Sequence, residues 1–152
     1  MTELSTPIRP KRPEFRNINA FKDLPSYRWP LASLVSGMHR ISGLIMILLM
    51  PFIIWMFDTS ISSEISFARF TEVFSIGIQL PRGWVIPGWF MKLVALGLIW
   101  SYLHHFFAGL RNVWMETTHS ASKESTFKTA VLTFAFSLGL TAVLGAKLFG
   151  VY

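Results

Sequence analysis

Three long stretches without a formally charged residue constrain this sequence more than any other feature. They cover residues 41–57, 93–110 and 129–146. At a helical rise of 1.5 Å per residue, each extends about 25–27 Å, close to the roughly 30 Å hydrocarbon core of a bilayer. Only helices and closed barrels satisfy their backbone hydrogen bonds in lipid, and stretches of this length indicate helices. The sequence therefore predicts an all-α integral membrane protein with three transmembrane helices.

The predicted spans extend these stretches into their apolar flanks and cover residues 31–57, 88–115 and 125–150. Pro30 suits the first turn of a helix, and Pro51 predicts a kink because it cannot donate a backbone hydrogen bond. In the long connection between the first two spans, Phe67, Phe70 and Phe74 recur at helical spacing. This pattern predicts a short amphipathic helix at the membrane interface, followed by a turn over residues 79–87.

The charges divide the chain into a polar arm over residues 1–28 and a membrane domain over residues 29–152. The net charge is +6, and the arm carries six of the 14 Lys and Arg residues. Basic residues concentrate on the cytoplasmic side of membrane proteins, so we predict a cytoplasmic N-terminus and a C-terminus on the opposite side. The charges do not form one solvated basic face, which argues against nucleic-acid binding. The absence of Cys excludes thiolate ligands within this chain.

The first cluster with chemical potential opens the first span. Ser36, His39, Arg40 and Gly43 share one helix face at i, i+3, i+4 and i+7. A hydroxyl, an imidazole and a fixed cation on one face suit a quinone carbonyl, a carboxylate or a propionate. The alternative is that Arg40 reaches to lipid headgroups while Ser36 bonds its own helix backbone. Position alone leaves both interpretations open.

The second cluster lies near the end of the second span. His105, Ala108, Gly109 and Asn112 form a similar stripe, which Ser101 continues one turn earlier. Neutral imidazole is a common haem iron ligand, and small neighbours would admit a flat macrocycle. A lone membrane histidine can also simply bond a neighbouring helix, and the residues alone do not decide between these roles. The adjacent His104 points about 100° away, which favours packing or surface exposure.

Depth argues against pairing the two histidines as ligands of one haem. Counted from the middle of each predicted span, His105 lies about 6 Å and His39 about 12–15 Å towards the cytoplasmic side. Axial ligands of one haem need nearly equal depth, so we expect the second ligand to come from another subunit.

The third span carries no ionisable group in its uncharged stretch. Small residues recur there at every fourth position and predict a helix-packing stripe formed by Thr133, Ser137 and Thr141 with their neighbours.

The two clusters resemble the cytochrome b556 subunit family of succinate dehydrogenase. That family carries S-x-x-H-R-x-[ST]-G at the start of its first span, which matches residues 36–43. It also carries H-x-x-x-G-x-R-H near the end of its second span, which matches residues 105–112 except that Asn112 replaces the last histidine. Both motifs occur in the family's order and on the same side of a three-helix chain.

The resemblance implies roles for particular residues. His105 matches an axial ligand of one haem b, which the family shares with a second small membrane anchor subunit. Ser36 and Arg40 match the ubiquinone site, and His39 and Arg40 match the neighbourhood of the haem propionates. Ser101, Ala108 and Gly109 would then pack beside the haem.

The resemblance also implies an assembly and a location. The chain would anchor a flavoprotein that carries FAD and an iron–sulfur subunit to the bacterial inner membrane, rather than to the mitochondrial one. Succinate would be oxidised in the flavoprotein, and electrons would pass through iron–sulfur clusters to ubiquinone in respiration and the tricarboxylic acid cycle. Two alternatives remain: a haem-free anchor of the fumarate reductase type, and a structural subunit of another membrane complex.

Overall fold

The computed structural model describes residues 17, 19–23, 25–120 and 122–150. Of the predicted N-terminal arm, the structure describes residues 17, 19–23 and 25–28, which include one helical turn, α1. The described residues form helices and one small hairpin, joined by short turns. Its elements are α1 (Ala20–Asp23), α2 (Leu31–Leu48), α3 (Met50–Ile61), α4 (Glu64–Ser75), β1 (Gly77–Gln79), β2 (Val85–Pro87), α5 (Gly88–Thr117) and α6 (Lys123–Leu148).

Three of these helices, α2, α5 and α6, are long and apolar enough to cross a membrane. This finding confirms the predicted three-span helical membrane fold. The first predicted span is divided between α2 and α3, which meet at Leu49. Pro51 lies in the first turn of α3. Backbone N–H groups in a first turn have no partner within the helix, so the missing N–H of proline costs no hydrogen bond there. The kink therefore lies just before Pro51, as expected for a proline that cannot continue the preceding helix.

The connection between the first two spans contains α4 and a hairpin. A capping box begins α4, since Ser66 N bonds Ser63 Oγ at 3.1 Å and Ser63 N bonds Ser66 Oγ at 2.9 Å. β1 and β2 then pair antiparallel, with Ile78 opposite Ile86. The sequence predicted a turn here and missed the strands, because three residues are too few to show alternation. Gly77 has φ +115°, and a Cβ there would lie 2.0 Å from the Ile86 carbonyl oxygen.

The central helix of the bundle is α5, which packs against both α2 and α6. Its buried positions recur every three or four residues along one stripe. The tightest core lies where the three helices meet, at Val35, Ala108 and Ala130, each no more than 1% exposed. Small side chains permit this close approach, which drives helix association in membranes.

The predicted stripe on the third span faces the chain's own α5. Thr133 and Ser137 are buried and Thr141 is half-buried. His104 is fully buried, and its Nδ1 lies 3.4 Å from Ser137 Oγ. Its ring stacks on Trp100 with 5.4 Å between ring centres. His104 is therefore a packing residue that links α5 to α6, one of the two roles expected from its position.

Enlarging the three-helix contact should destabilise the bundle. Ala130 is 0% exposed, so Ala130→Leu should lower the free energy of unfolding by about 1–3 kcal/mol through overpacking. Ala135→Leu is the matched control, because the same helix exposes that position. Thermal unfolding in one detergent should show a lower midpoint for Ala130→Leu alone. Equal midpoints for the two variants would contradict the packing described.

Candidate functional site

The two predicted clusters meet where α2 packs on α5. The rings of His39 and His105 lie against each other, with 4.1 Å between their centres and an angle of 30° between their planes. Gly43 makes this approach possible. A Cβ at that position would lie 3.0 Å from Cε1 and 3.3 Å from Nδ1 of His105. A residue larger than glycine would displace the imidazole or separate the helices.

Hydrogen bonding fixes the orientation and tautomer of the His105 ring. Its Nδ1 lies 3.1 Å from the His39 carbonyl oxygen, which can only accept, so a neutral ring carries its proton on Nδ1. The Ser42 hydroxyl donates to the same carbonyl at 2.9 Å and lies 3.4 Å from the ring nitrogen. The Nε2 atom is left with its lone pair. A histidine held in this way has the form that binds a metal ion.

The structure corrects the predicted depth of the two histidines. They lie side by side, so the expected separation along the membrane normal was wrong. The prediction counted depth from the middle of each span, but α2 packs against the second half of α5, and α3 prolongs the first span. The helix centres are therefore not level with each other.

The two histidines still do not form an axial pair. Two imidazoles that bind one metal ion from opposite sides have ring centres roughly 6 Å apart, because each metal–nitrogen bond is about 2 Å long. The observed separation of 4.1 Å leaves no room for an ion between the rings. His105 and His39 therefore contact each other directly rather than through a metal.

Ser36 and Arg40 project from the exposed side of α2. They lie one turn apart, so both can reach the same small ligand. Within the described part of the chain, neither side chain makes a hydrogen bond or an ion pair. The Ser36 hydroxyl does not bond its own helix, contrary to the simplest alternative for this residue. A donor and a cation are therefore both available at this end of α2.

Of the three small residues expected to pack beside a haem, only Gly109 is available. Ser101 is 0% and Ala108 1% exposed, because both face the bundle interior. Ser101 bonds the Gly97 carbonyl oxygen at 2.7 Å, and Ala108 packs in the three-helix core. Their predicted contact with a haem is corrected on this ground. Gly109 instead lies beside His39, whose Nε2 would be 3.8 Å from a Cβ at that position.

The motifs indicated no role for Ser42, which belongs to this site, or for Arg111, which points about 120° away from His105 around α5. Ser42 is fully buried and contacts both His39 and His105. Its position three residues after His39 was the available signal, since a serine there bonds back to the preceding turn. Arg111 is only 9% exposed, although it precedes the exposed Asn112, whose Oδ1 lies 3.5 Å from Arg111 Nη1.

The donor set of this site suits a cofactor that needs one side-chain ligand. Among the residues that the structure describes, no group of three or more His, Cys, Asp or Glu side chains could hold a metal ion. A haem iron needs only one or two axial ligands from protein, since the macrocycle supplies the rest. The free lone pair of His105 Nε2 therefore fits a haem better than a bare metal ion.

Comparison with known proteins agrees with the motifs. Residues 9–144 match the family described as succinate dehydrogenase/fumarate reductase transmembrane subunit. The chain is 28% identical over 129 residues to the succinate dehydrogenase cytochrome b556 subunit of Paracoccus denitrificans, covering 85% of this chain and 89% of that protein.

A second relative carries the same description. The succinate dehydrogenase cytochrome b556 subunit of Coxiella burnetii (strain RSA 493 / Nine Mile phase I) is 29% identical over 94 residues, covering 62% of this chain and 66% of that protein. The family match spans both histidine clusters, α2, α5 and all but the last four residues of α6. The chain therefore belongs to the succinate dehydrogenase/fumarate reductase transmembrane subunit family.

Proposed function

We propose that this chain is a membrane anchor of succinate dehydrogenase that supplies one axial ligand to haem b and part of the ubiquinone site. The observation that carries the proposal is the hydrogen bond from His105 Nδ1 to the His39 carbonyl oxygen, at 3.1 Å. This bond leaves the lone pair of Nε2 free to bind a metal ion and fixes the direction in which it points. The relatives named cytochrome b556 subunit support the same assignment.

A second axial histidine would have to come from another chain. The sequence contains four histidines, and the structure describes all of them. His104 is sealed inside the bundle, and His119 lies in the exposed loop after α5. His39 contacts the His105 ring and leaves no room for an ion between them. A partner anchor subunit that donates a histidine therefore completes the proposed site.

The haem, when bound, would add a one-electron carrier near the quinone. In this chain His105 would hold the iron, and the His39 carbonyl oxygen and the Ser42 hydroxyl orient the His105 ring. Arg40 is the cation suited to a propionate or to the quinone. Gly109 has no side chain, which leaves space on this face of α5 beside His39.

The proposed quinone site lies at the exposed start of α2. The Ser36 hydroxyl donates a hydrogen bond to one quinone carbonyl, which orients the ring. The Arg40 guanidinium stabilises the negative charge that develops on quinone oxygen as electrons arrive. A fixed cation does this without the reorganisation that water molecules would need. Electrons would come from iron–sulfur clusters of a partner subunit, after succinate is oxidised in a flavoprotein subunit that carries FAD.

The location follows from the same assembly. Three apolar helices would hold the chain in the membrane, where their exposed apolar side chains are available to lipid and to a second anchor. We place the chain in the bacterial inner membrane with its N-terminus in the cytoplasm. The Lys and Arg residues of the arm favour this orientation, because basic residues concentrate on the cytoplasmic side. Ser36 and Arg40 would then lie on the side of the soluble subunits.

The haem assignment predicts a spectroscopic loss in one variant. In the purified complex, the reduced-minus-oxidised visible spectrum should show a low-spin b-type signal. The signal should disappear in His105→Leu, because leucine has no atom that can bind the iron. His119→Asn is the control, since it removes an exposed loop histidine at a positive φ of 49° that asparagine tolerates. Haem retained in His105→Leu would contradict the assignment, and a wild-type complex without haem would favour the haem-free anchor.

The quinone assignment predicts a selective kinetic defect. Ser36→Ala and Arg40→Gln should each lower kcat/KM for ubiquinone by about tenfold or more. Each change removes a hydrogen bond to a quinone oxygen that gains negative charge during reduction. Succinate oxidation with a soluble dye should stay unchanged, since it does not use the anchor. Ser60→Ala and Arg69→Gln change residues away from this site, a half-buried serine and an exposed arginine, and serve as controls. A quinone reductase rate equal to wild type in both test variants would exclude this site.

A further inference from the structure

Arg111 is a buried cation without an anionic partner. It is 9% exposed inside α5, and its guanidinium contacts only neutral acceptors. Its Nε lies 3.1 Å from Thr129 Oγ1 and its Nη2 lies 3.4 Å from the Thr126 carbonyl oxygen. In the part of the chain that the structure describes, the one ion pair joins Lys128 to Glu124. A charge at this depth is costly unless an anion or water reaches it.

An apolar groove of about 330 Å³ begins beside this cation. It lies between α5 and α6, and its side chains are Phe107, Leu110, Trp114, Leu132 and Phe136 together with Arg111 and two threonines. Phe107 and Phe136 stack at its inner end, with 5.5 Å between ring centres. Trp114 lies at its outer end and is 59% exposed, as is typical of tryptophans at headgroup level. The groove follows α5 for about 10 Å.

The groove lies away from the proposed haem site. At about 100° per residue, Phe107, Leu110 and Trp114 point roughly 140–200° around α5 from His105. A haem or second anchor at His105 therefore leaves the groove uncovered. Its walls are exposed to the surroundings of the bundle, which in this fold are lipid.

We propose that this groove binds one anionic glycerophospholipid. The phosphate would accept hydrogen bonds from the Arg111 N–H groups that its present contacts leave free. An acyl chain would lie along Leu110 and Leu132 towards the phenylalanine pair. The charge of the phosphate favours this occupant over a quinone, which is neutral and would leave the guanidinium uncompensated.

Titration of the delipidated, purified complex tests the proposal. Dioleoyl phosphatidylglycerol or dioleoyl phosphatidylcholine is added, and native mass spectrometry counts the bound lipid. We expect one phosphatidylglycerol that binds more tightly than any phosphatidylcholine. Arg111→Gln should weaken this site by about tenfold or more, because a charge-assisted hydrogen bond is lost. Arg69→Gln, on exposed α4, is the control and should bind as wild type does.

Two further variants separate lipid binding from folding. Leu132→Trp fills the groove but keeps the cation, and should also lose the phosphatidylglycerol. Arg111→Lys keeps the charge, and should retain the preference for phosphatidylglycerol over phosphatidylcholine. Full binding in both Arg111→Gln and Leu132→Trp would overturn the proposal. So would equal affinity for the two lipids, or displacement of the lipid by millimolar inorganic phosphate, which would indicate an anion site that needs no acyl chain.

Discussion

Gly43 lets α2 approach α5 so closely that the His39 carbonyl accepts a hydrogen bond from the His105 ring. In lipid this bond has particular value, because no bulk water competes for either group. It has three consequences: the proton stays on Nδ1, the ring cannot rotate freely, and Nε2 keeps its lone pair. The proposed haem ligand thus depends on a backbone contact between helices, made possible by the absence of one side chain.

The same chemistry holds the rest of the bundle together. Buried serine hydroxyls on α2, α5 and α6 donate hydrogen bonds to carbonyl oxygens of their own helices. Their small side chains let the helices approach each other closely. Close packing and a few interhelical bonds then replace the hydrophobic effect, which is weak between helices in lipid. His104 shows the result, since it is fully buried between aromatic rings and bonds Ser137 on α6. The two adjacent histidines therefore face different neighbours: His104 packs against α6, and the proposed ligand His105 packs against α2.

Much of this architecture could be predicted from sequence, because long uncharged stretches have few possible structures in lipid. The three spans and the kink before Pro51 follow from that constraint and from the chemistry of proline. Relative depth could not be predicted, since helix midpoints carry no information on how helices pair; the contact between His39 and His105 was missed for this reason. Periodicity likewise placed Ser101 and Ala108 on one face of the second span, but it could not show what that face contacts. In the structure both residues face the bundle core.

The most direct test of the central contact compares two glycine variants in the purified complex. Gly43→Ala places a methyl group against the His105 ring, whereas Gly97→Ala meets no atom within 4 Å. Haem content per complex and the spin state of the iron, read from the visible spectrum, are measured for both. We expect Gly43→Ala to lose haem or to show a high-spin fraction, and Gly97→Ala to match wild type. Full low-spin haem in Gly43→Ala would contradict the proposed role of the α2–α5 contact in holding the ligand.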